Sequence, residues 1–400
     1  MKRKKPKVSP VTLRVLALLS GFIGAISVLI LAEIGARLIS VKGREMFPTR
    51  LPKDLVSNIH KISYDPSVLT HLAIHLPSPR FKSHLNPQVK PLFVRFPGPY
   101  EEVDEQVGRR PIPNSKGTRI EFFPGGFMER RSNYTIDSSS RRLTLGRQNN
   151  NPSQLLLFMG CSFAFGDGLN DNETIASQAA QLLKNYNVYN YGFSGWGPNN
   201  ALRLVNQKKF ASDLPKNLPV KVVYIFMDHH INRVIGSLDI YREKWDWPRK
   251  LPYYYLDSQD RLQTTGMIGS GRLYRNSLYK FLAKSELLTS LDVELPPSFR
   301  EKDFRLVAAI FERLQATLKD KFPKSEFYVA FFPGQAGKAL IPYLDEKGIK
   351  SFNYGDMDSS QFVWVPEIPD GHPSGEMNHF FAHQILEDLG LIRADIRSDG

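Results

Sequence analysis

Two short segments far apart in the chain hold the residue types of nucleophilic acyl chemistry. Gly160-Cys161-Ser162-Phe163 follows the apolar run Leu155-Leu156-Leu157-Phe158-Met159, and Asp370-Gly371-His372-Pro373 lies near the C-terminus. The first offers a nucleophile at a strand-to-helix turn. The second offers a late acid-base pair to activate it, since a serine hydroxyl is too weak an acid to ionise unaided at neutral pH. Together they are the minimum chemistry of a serine hydrolase or acyltransferase. A second histidine pair, His379 and His383, stands four apart on a predicted helix and shares a face as metal ligands do. The glutamate of a zinc-protease motif does not follow His379, and no third ligand is evident. Helix surface or packing is therefore expected of them, and no metal or cofactor is called for.

The elements that must position these residues read as strands alternating with helices from about residue 152. Gln154 to Met159, Val188 to Tyr191, Val220 to Met227, Phe327 to Phe332 and Gly348 to Tyr354 read as strands. Glu173 to Lys184, Asn199 to Phe210, Phe304 to Leu318 and Gly375 to Leu391 read as helices. That alternation implies an α/β fold whose mostly parallel sheet is covered on both faces. Ligands then bind at the C-terminal ends of the strands. Ser162 follows one such end and Asp228-His229-His230 another. Residues 240–300 interrupt the pattern with Trp245, Trp247 and the run Tyr253-Tyr254-Tyr255, then a hairpin turn at Asp257 to Arg261. This insertion reads as a lid or rim, its aromatics either a sugar-stacking platform or, more simply, a satellite core. Residues 40–150, rich in Pro, Arg and Ser, read as an irregular β-rich neck or accessory region with a β-like stretch at Thr118 to Phe123.

The N-terminus predicts where the chain sits. Residues 1–14 carry six basic side chains and no carboxylate, and Val15 to Ala32 contains no polar side chain but Ser20 and Ser27. A span this long can cross a bilayer, and its basic flank keeps the N-terminus in the cytoplasm. It exceeds the usual signal-peptide apolar region and lacks a small-x-small cleavage site. Residues 15–39 are thus expected to be an uncleaved single-pass signal anchor, with the remainder outside the cytoplasm. The net charge of +13 falls to +7 once the first fourteen residues are set aside. With no nucleic-acid motif in the chain, that mild excess excludes RNA and DNA as expected partners. The single cysteine, Cys161, excludes an intramolecular disulfide framework, so apolar burial must build the core.

Gly160-Cys161-Ser162-Phe163-Ala164-Phe165-Gly166-Asp167-Gly168 with Glu173-Thr174 resembles the first block of the SGNH, or GDSL-like, hydrolases. Asn190-Tyr191-Gly192-Phe193-Ser194-Gly195-Trp196-Gly197 resembles their second block, and Asp370-Gly371-His372-Pro373 their fifth, in the family's order over about residues 151–395. The resemblance implies a flavodoxin-like three-layer α/β/α sandwich. It makes Ser162 the nucleophile, His372 its general base and Asp370 the residue that orients the imidazole. It carries an oxyanion N–H onto Ser162 and another onto Gly195, with Gly192 the neighbouring alternative. The family's Gly-x-Asn-Asp block is missing after the strand that ends near Met227. Among Asp228-His229-His230-Ile231-Asn232, His230 is the first choice for the oxyanion donor, with His229 and Asn232 the alternatives. Cys161 stands where the family has the aspartate of its signature and is expected to be a small buried residue. One residue separates Asp370 from His372, where many members have two. An α/β-hydrolase is disfavoured, because Ser162 lacks the second glycine of Gly-x-Ser-x-Gly and Ser194 has its glycines at the wrong spacing.

The expected function is a membrane-anchored serine esterase or O-acyltransferase, working through an acyl-Ser162 intermediate. Its substrates would be ester-linked acyl groups, acetyl foremost, on an extracytoplasmic glycan or lipid. The alternative is a tethered scaffold or glycan-binding protein that retains the fold with a decayed site.

Overall fold

The computed structural model describes residues 27–28, 30–37, 93–95, 100–122, 129–146, 149–242, 247–333, 336–357 and 372–393. Contacts divide the chain into two compact units, one of residues 1–64 with 278–294 and one of 65–277 with 295–400. In the smaller unit a helix at 30–37 is fastened to the start of the helix Glu286–Ser290, where the Glu33 carboxylate accepts the N–H groups of Glu286 and Leu287. No helix among the described residues is long and apolar enough to cross a membrane. The expected anchor at 15–39 lies largely outside the described residues.

The larger unit opens with the strands β1 (Phe93–Arg95), β2 (Glu101–Asp104), β3 (Gly108–Pro111), β4 (Lys116–Phe122) and β5 (Glu129–Thr135). They pair antiparallel as a β1-β4-β5 sheet and a β2-β3 hairpin. This β-rich neck shares a core with the α/β region: Tyr100 and Tyr134 pack edge-on, and both meet Phe165 just beyond the Ser162 turn. The buried Arg142 guanidinium lies 4.1 Å from the Tyr134 ring centre and pairs with Asp171 at 2.6 Å.

Next come β6 (Gln154–Gly160), β7 (Tyr186–Asn190), β8 (Val220–Phe226), β9 (Pro252–Leu256), β10 (Leu262–Met267), β11 (Ser325–Phe331) and β12 (Lys350–Asn353). Five of these form one parallel sheet in the order β12-β11-β8-β6-β7. Numbered along the sheet's own path the order is 2-1-3-4-5, the flavodoxin-like doubly wound arrangement. The strands are apolar runs because both faces are buried. Leu155, Leu157 and Met159 join the core beneath the helix Glu301–Lys321, while Leu156 and Phe158 join the core beneath the helices Ile175–Leu182 and Gly375–Asp388. On the first side Val307, Phe311, Leu314 and Leu318 recur at helical spacing and are fully buried. On the second, Phe381 stacks on Phe332 with ring centres 4.2 Å apart.

The insertion after β8 contains the β9-β10 hairpin, whose turn is held by Asp257 Oδ1 accepting the N–H groups of Gln259 and Arg261. Tyr254 is buried in the main core, and Tyr253 packs on the small Ile240, Leu251 and Ile268 cluster. Tyr255 stacks on Tyr253 at 5.7 Å and 27° and is the exposed member of the three. Of the three tyrosines one is thus buried, one half-buried and one at the surface, and Trp245 lies outside the described residues.

Candidate active site

Ser162 sits where β6 passes directly into a single helical turn, Ser162–Phe165. Gly160 makes that turn possible. Its φ is +145°, and a Cβ there would lie 2.8 Å from the carbonyl oxygen of Ile225 on β8. Gly166, at φ +86°, ends the turn by donating its N–H to Ser162 O. Cys161 holds the cap position and Ser162 the first helical one, so the Ser162 hydroxyl is not consumed in capping. Among the described residues the hydroxyl and the backbone N–H of Ser162 make no hydrogen bond. The side chain is nearly buried, at the C-terminal end of the sheet's first strand.

The second-block loop leaves β7 and crosses this turn. Phe193 N–H donates to Gly160 O at 3.1 Å, and the Asn190 side chain donates to Ala164 O at 2.7 Å. Asn190 Oδ1 also accepts the N–H of Gly192 at 3.0 Å, and a Cβ on Gly192 would sit 2.6 Å from that of Ala164. The Gly192 amide is therefore occupied. Phe193 to Trp196 forms a turn closed by Trp196 N–H on Phe193 O at 3.1 Å, with Gly195 at φ +79° in the position that favours glycine. The Gly195 N–H has no partner among the described residues. Two side chains not anticipated from sequence hold this turn. Asp167 accepts the Ser194 hydroxyl at 2.7 Å, and the buried Arg233 donates to Trp196 O at 2.8 Å. Asp167 lies inside the Gly166-Asp167-Gly168 stretch, so the motif contained its signal. Arg233 has no sequence signal beyond its helix.

After β8 the chain enters the helix His229–Ile235, closed by Gly236 at φ +59°. His230 is fully buried. Its Nδ1 accepts the Met227 N–H at 3.3 Å, and its ring lies edge-on to Tyr224 and Phe226. With Nδ1 accepting, Nε2 carries the hydrogen, and it has no partner among the described residues. His229 is half-buried. Burial pushes both imidazoles well below the ordinary histidine value, aided by the Arg233 charge. The charge of His372 acts further on His229 and not on His230.

His372 comes just before the closing helix Gly375–Asp388, which Ser374 caps by accepting the Met377 N–H at 3.0 Å. The His372 ring lies 5.1 Å from that of Phe163, the residue after the nucleophile. The structure records no hydrogen bond between Ser162 and His372. Asp370 lies outside the described residues. On the same closing helix His379 turns to Gln178 at 2.9 Å and His383 to Glu387 at 3.5 Å, so the two serve separate surface contacts.

Cys161, fully buried, has its Sγ 3.9 Å from Met227 Sδ. Cys161, His229 and His230 bring one ligand-type atom each within 4.8 Å of one another. The Met227 N–H on His230 Nδ1 leaves a protonated Nε2 facing no acceptor, which is the tautomer of a packed histidine and not of one ready to bind a metal.

No family model and no curated protein matches the chain. Among solved structures it is similar to a lipolytic protein of the G-D-S-L family from Veillonella parvula, at 12% identity and a TM-score of 0.35, over 60% of this chain and 100% of that one. It is also similar to the acetyl xylan esterase Est2A from Butyrivibrio proteoclasticus, at 10% identity and a TM-score of 0.36, over 71% and 74%. A third likeness is to an extracellular lipase from Streptomyces rimosus, at 8% identity and a TM-score of 0.31, over 58% and 99%.

Proposed function

We propose that the chain is an SGNH-type serine enzyme that transfers acyl groups from esters, either to water or to a sugar hydroxyl. The observation that carries this reading is the Ser162 turn. A hydroxyl and an amide, both unengaged, stand at the head of the sheet's first strand, and His372 packs against the next side chain. In the proposed reaction Ser162 Oγ attacks the ester carbonyl and its proton passes to His372, which Asp370 orients. The carbonyl oxygen becomes an oxyanion, held by the N–H groups of Ser162 and Gly195. Collapse expels the alcohol, which takes the proton back from His372 and leaves acyl-Ser162. Water or a sugar hydroxyl then attacks the acyl-serine with His372 again as base, and release of the acid or the new ester restores Ser162.

For the third oxyanion donor, the family's asparagine, the burial and contacts of the pair favour His229 over His230. His229 is half-buried where His230 is fully enclosed, and the charge of His372 acts on it; burial holds its pKa low and keeps it a neutral N–H donor at neutral pH. The basic tail and the apolar stretch Val15 to Ala32 support a substrate outside the cytoplasm, an acylated glycan or lipid of the envelope, with the membrane entered through that stretch.

Hydrolysis of a short-chain aryl ester by the purified full chain, beside Ser162→Ala and His372→Ala, tests the reading. Activity in the parent and its loss in both variants is expected. An inert parent would leave the alternative, a tethered glycan-binding scaffold, in its place.

A further inference from the structure

A folded surface normally scatters its exposed apolar side chains singly. Here they concentrate. Of the twelve large apolar side chains exposed among the described residues, seven fall in two stretches of the smaller compact unit, 28–34 inside the expected anchor and 278–291 outside it. The first contributes Val28, Ile30, Leu31 and Ile34, and the second includes Leu278, Phe281 and Leu291, all members of the smaller compact unit. The two stretches are tied together. Glu33 accepts from the Ser285 hydroxyl and from the N–H groups that open the helix Glu286–Ser290, and Arg37 donates to Lys284 O at 3.2 Å.

The helix Leu273–Leu282 shows the pattern most plainly. Its residues in the smaller unit bury Tyr279 and turn Leu278 and Phe281 outward. Phe281 is 73% exposed. Exposed Lys280 and Lys284 flank Phe281 along the chain. An apolar face flanked by lysines of reach is the composition of a helix lying in a membrane interface. The chain itself says which partner covers this face, because Val15 to Ala32 leads directly into the helix that Glu33 fastens here.

We propose that the apolar face of this unit, with Phe281 and Leu278 at its centre, rests in the surface of the lipid bilayer that Val15 to Ala32 enters. It gives the protein a second membrane contact beside the anchor. The inference rests on the reading of that segment as an anchor, and the experiment separates the two.

The full chain bearing Phe281→Cys, or Ser258→Cys at the exposed hairpin tip as reference, is labelled with an environment-sensitive thiol dye. Buried Cys161 stays unreactive. Each protein is reconstituted into vesicles of phosphatidylcholine with phosphatidylglycerol, with and without brominated acyl chains. The expected result is flotation of both proteins with the vesicles and quenching of the label at position 281 by more than about twofold, with none at 258. Flotation without quenching at 281 overturns the surface contact and leaves the anchor standing, and absence of flotation overturns both. A label at 281 unquenched by lipid but self-quenched between copies assigns the face to a second copy of the chain instead.

Discussion

His229 and His230 are consecutive, yet the helix they open leaves one half-buried and packs the other against Tyr224 and Phe226. Under the proposed function that difference gives His229 a role in chemistry and His230 one in stability. His229→Ala is expected to lower kcat about 100-fold with KM little changed, as loss of one oxyanion donor does. A steady-state comparison that finds KM raised and kcat intact would assign His229 to substrate binding. Both imidazoles are pushed below the ordinary value of 6.5, chiefly by burial. Their neutral forms therefore stabilise the fold fully above that value. As pH falls below it the unfolded chain takes up protons that the native state refuses, and stability drops by up to about 1.4 kcal/mol per pH unit for each histidine. Urea midpoints at neutral and mildly acidic pH should show this decline, and His230→Gln should flatten it. An equally steep decline in the variant would remove His230 from the account.

Turns, more than helices or strands, decide whether the site exists. Gly160→Ala forces a side chain into a φ of +145° and against the Ile225 carbonyl, at a cost of about 1–3 kcal/mol. Thermal unfolding should show the fall, and an unchanged midpoint would mean that the strand-to-helix turn relaxes freely. Asp167→Asn keeps the shape but weakens the grip on Ser194, so kcat should fall while stability holds. Much of this scaffold was legible in sequence, because parallel strands buried on both faces are unbroken apolar runs such as Val222 to Phe226. The expected strands fall within a residue or two of β6, β7, β8, β11 and β12. The helix Ala336–Glu346 was not anticipated, since Pro342 within it reads as a helix breaker. In the site, Ser162 and Gly195 stood out through their motifs. The choice between His229 and His230 did not, because it depends on which side of a helix faces the sheet and no neighbouring residue in sequence records that. Arg233 escaped notice because its partner is a backbone carbonyl on a distant loop, contact that only tertiary structure creates.

For the whole molecule, a parallel sheet with two full cores carries the candidate site, and the smaller unit carries an exposed apolar face. The proposed orientation puts the basic tail in the cytoplasm and the α/β unit outside. A C-terminal alkaline phosphatase fusion in a bacterial host should accordingly be active, because that reporter matures only after export. An inactive phosphatase fusion together with a fluorescent cytoplasmic reporter at the same position would reverse the topology.

The central claim is that Ser162 is the nucleophile. Its most direct test is the mass of the peptide containing Ser162 after the full chain is treated with a fluorophosphonate. The account predicts a phosphonyl adduct on Ser162, lost in Ser162→Ala and strongly reduced in His372→Ala, where the base is missing. An unmodified Ser162 peptide, or an adduct on another residue, would contradict it.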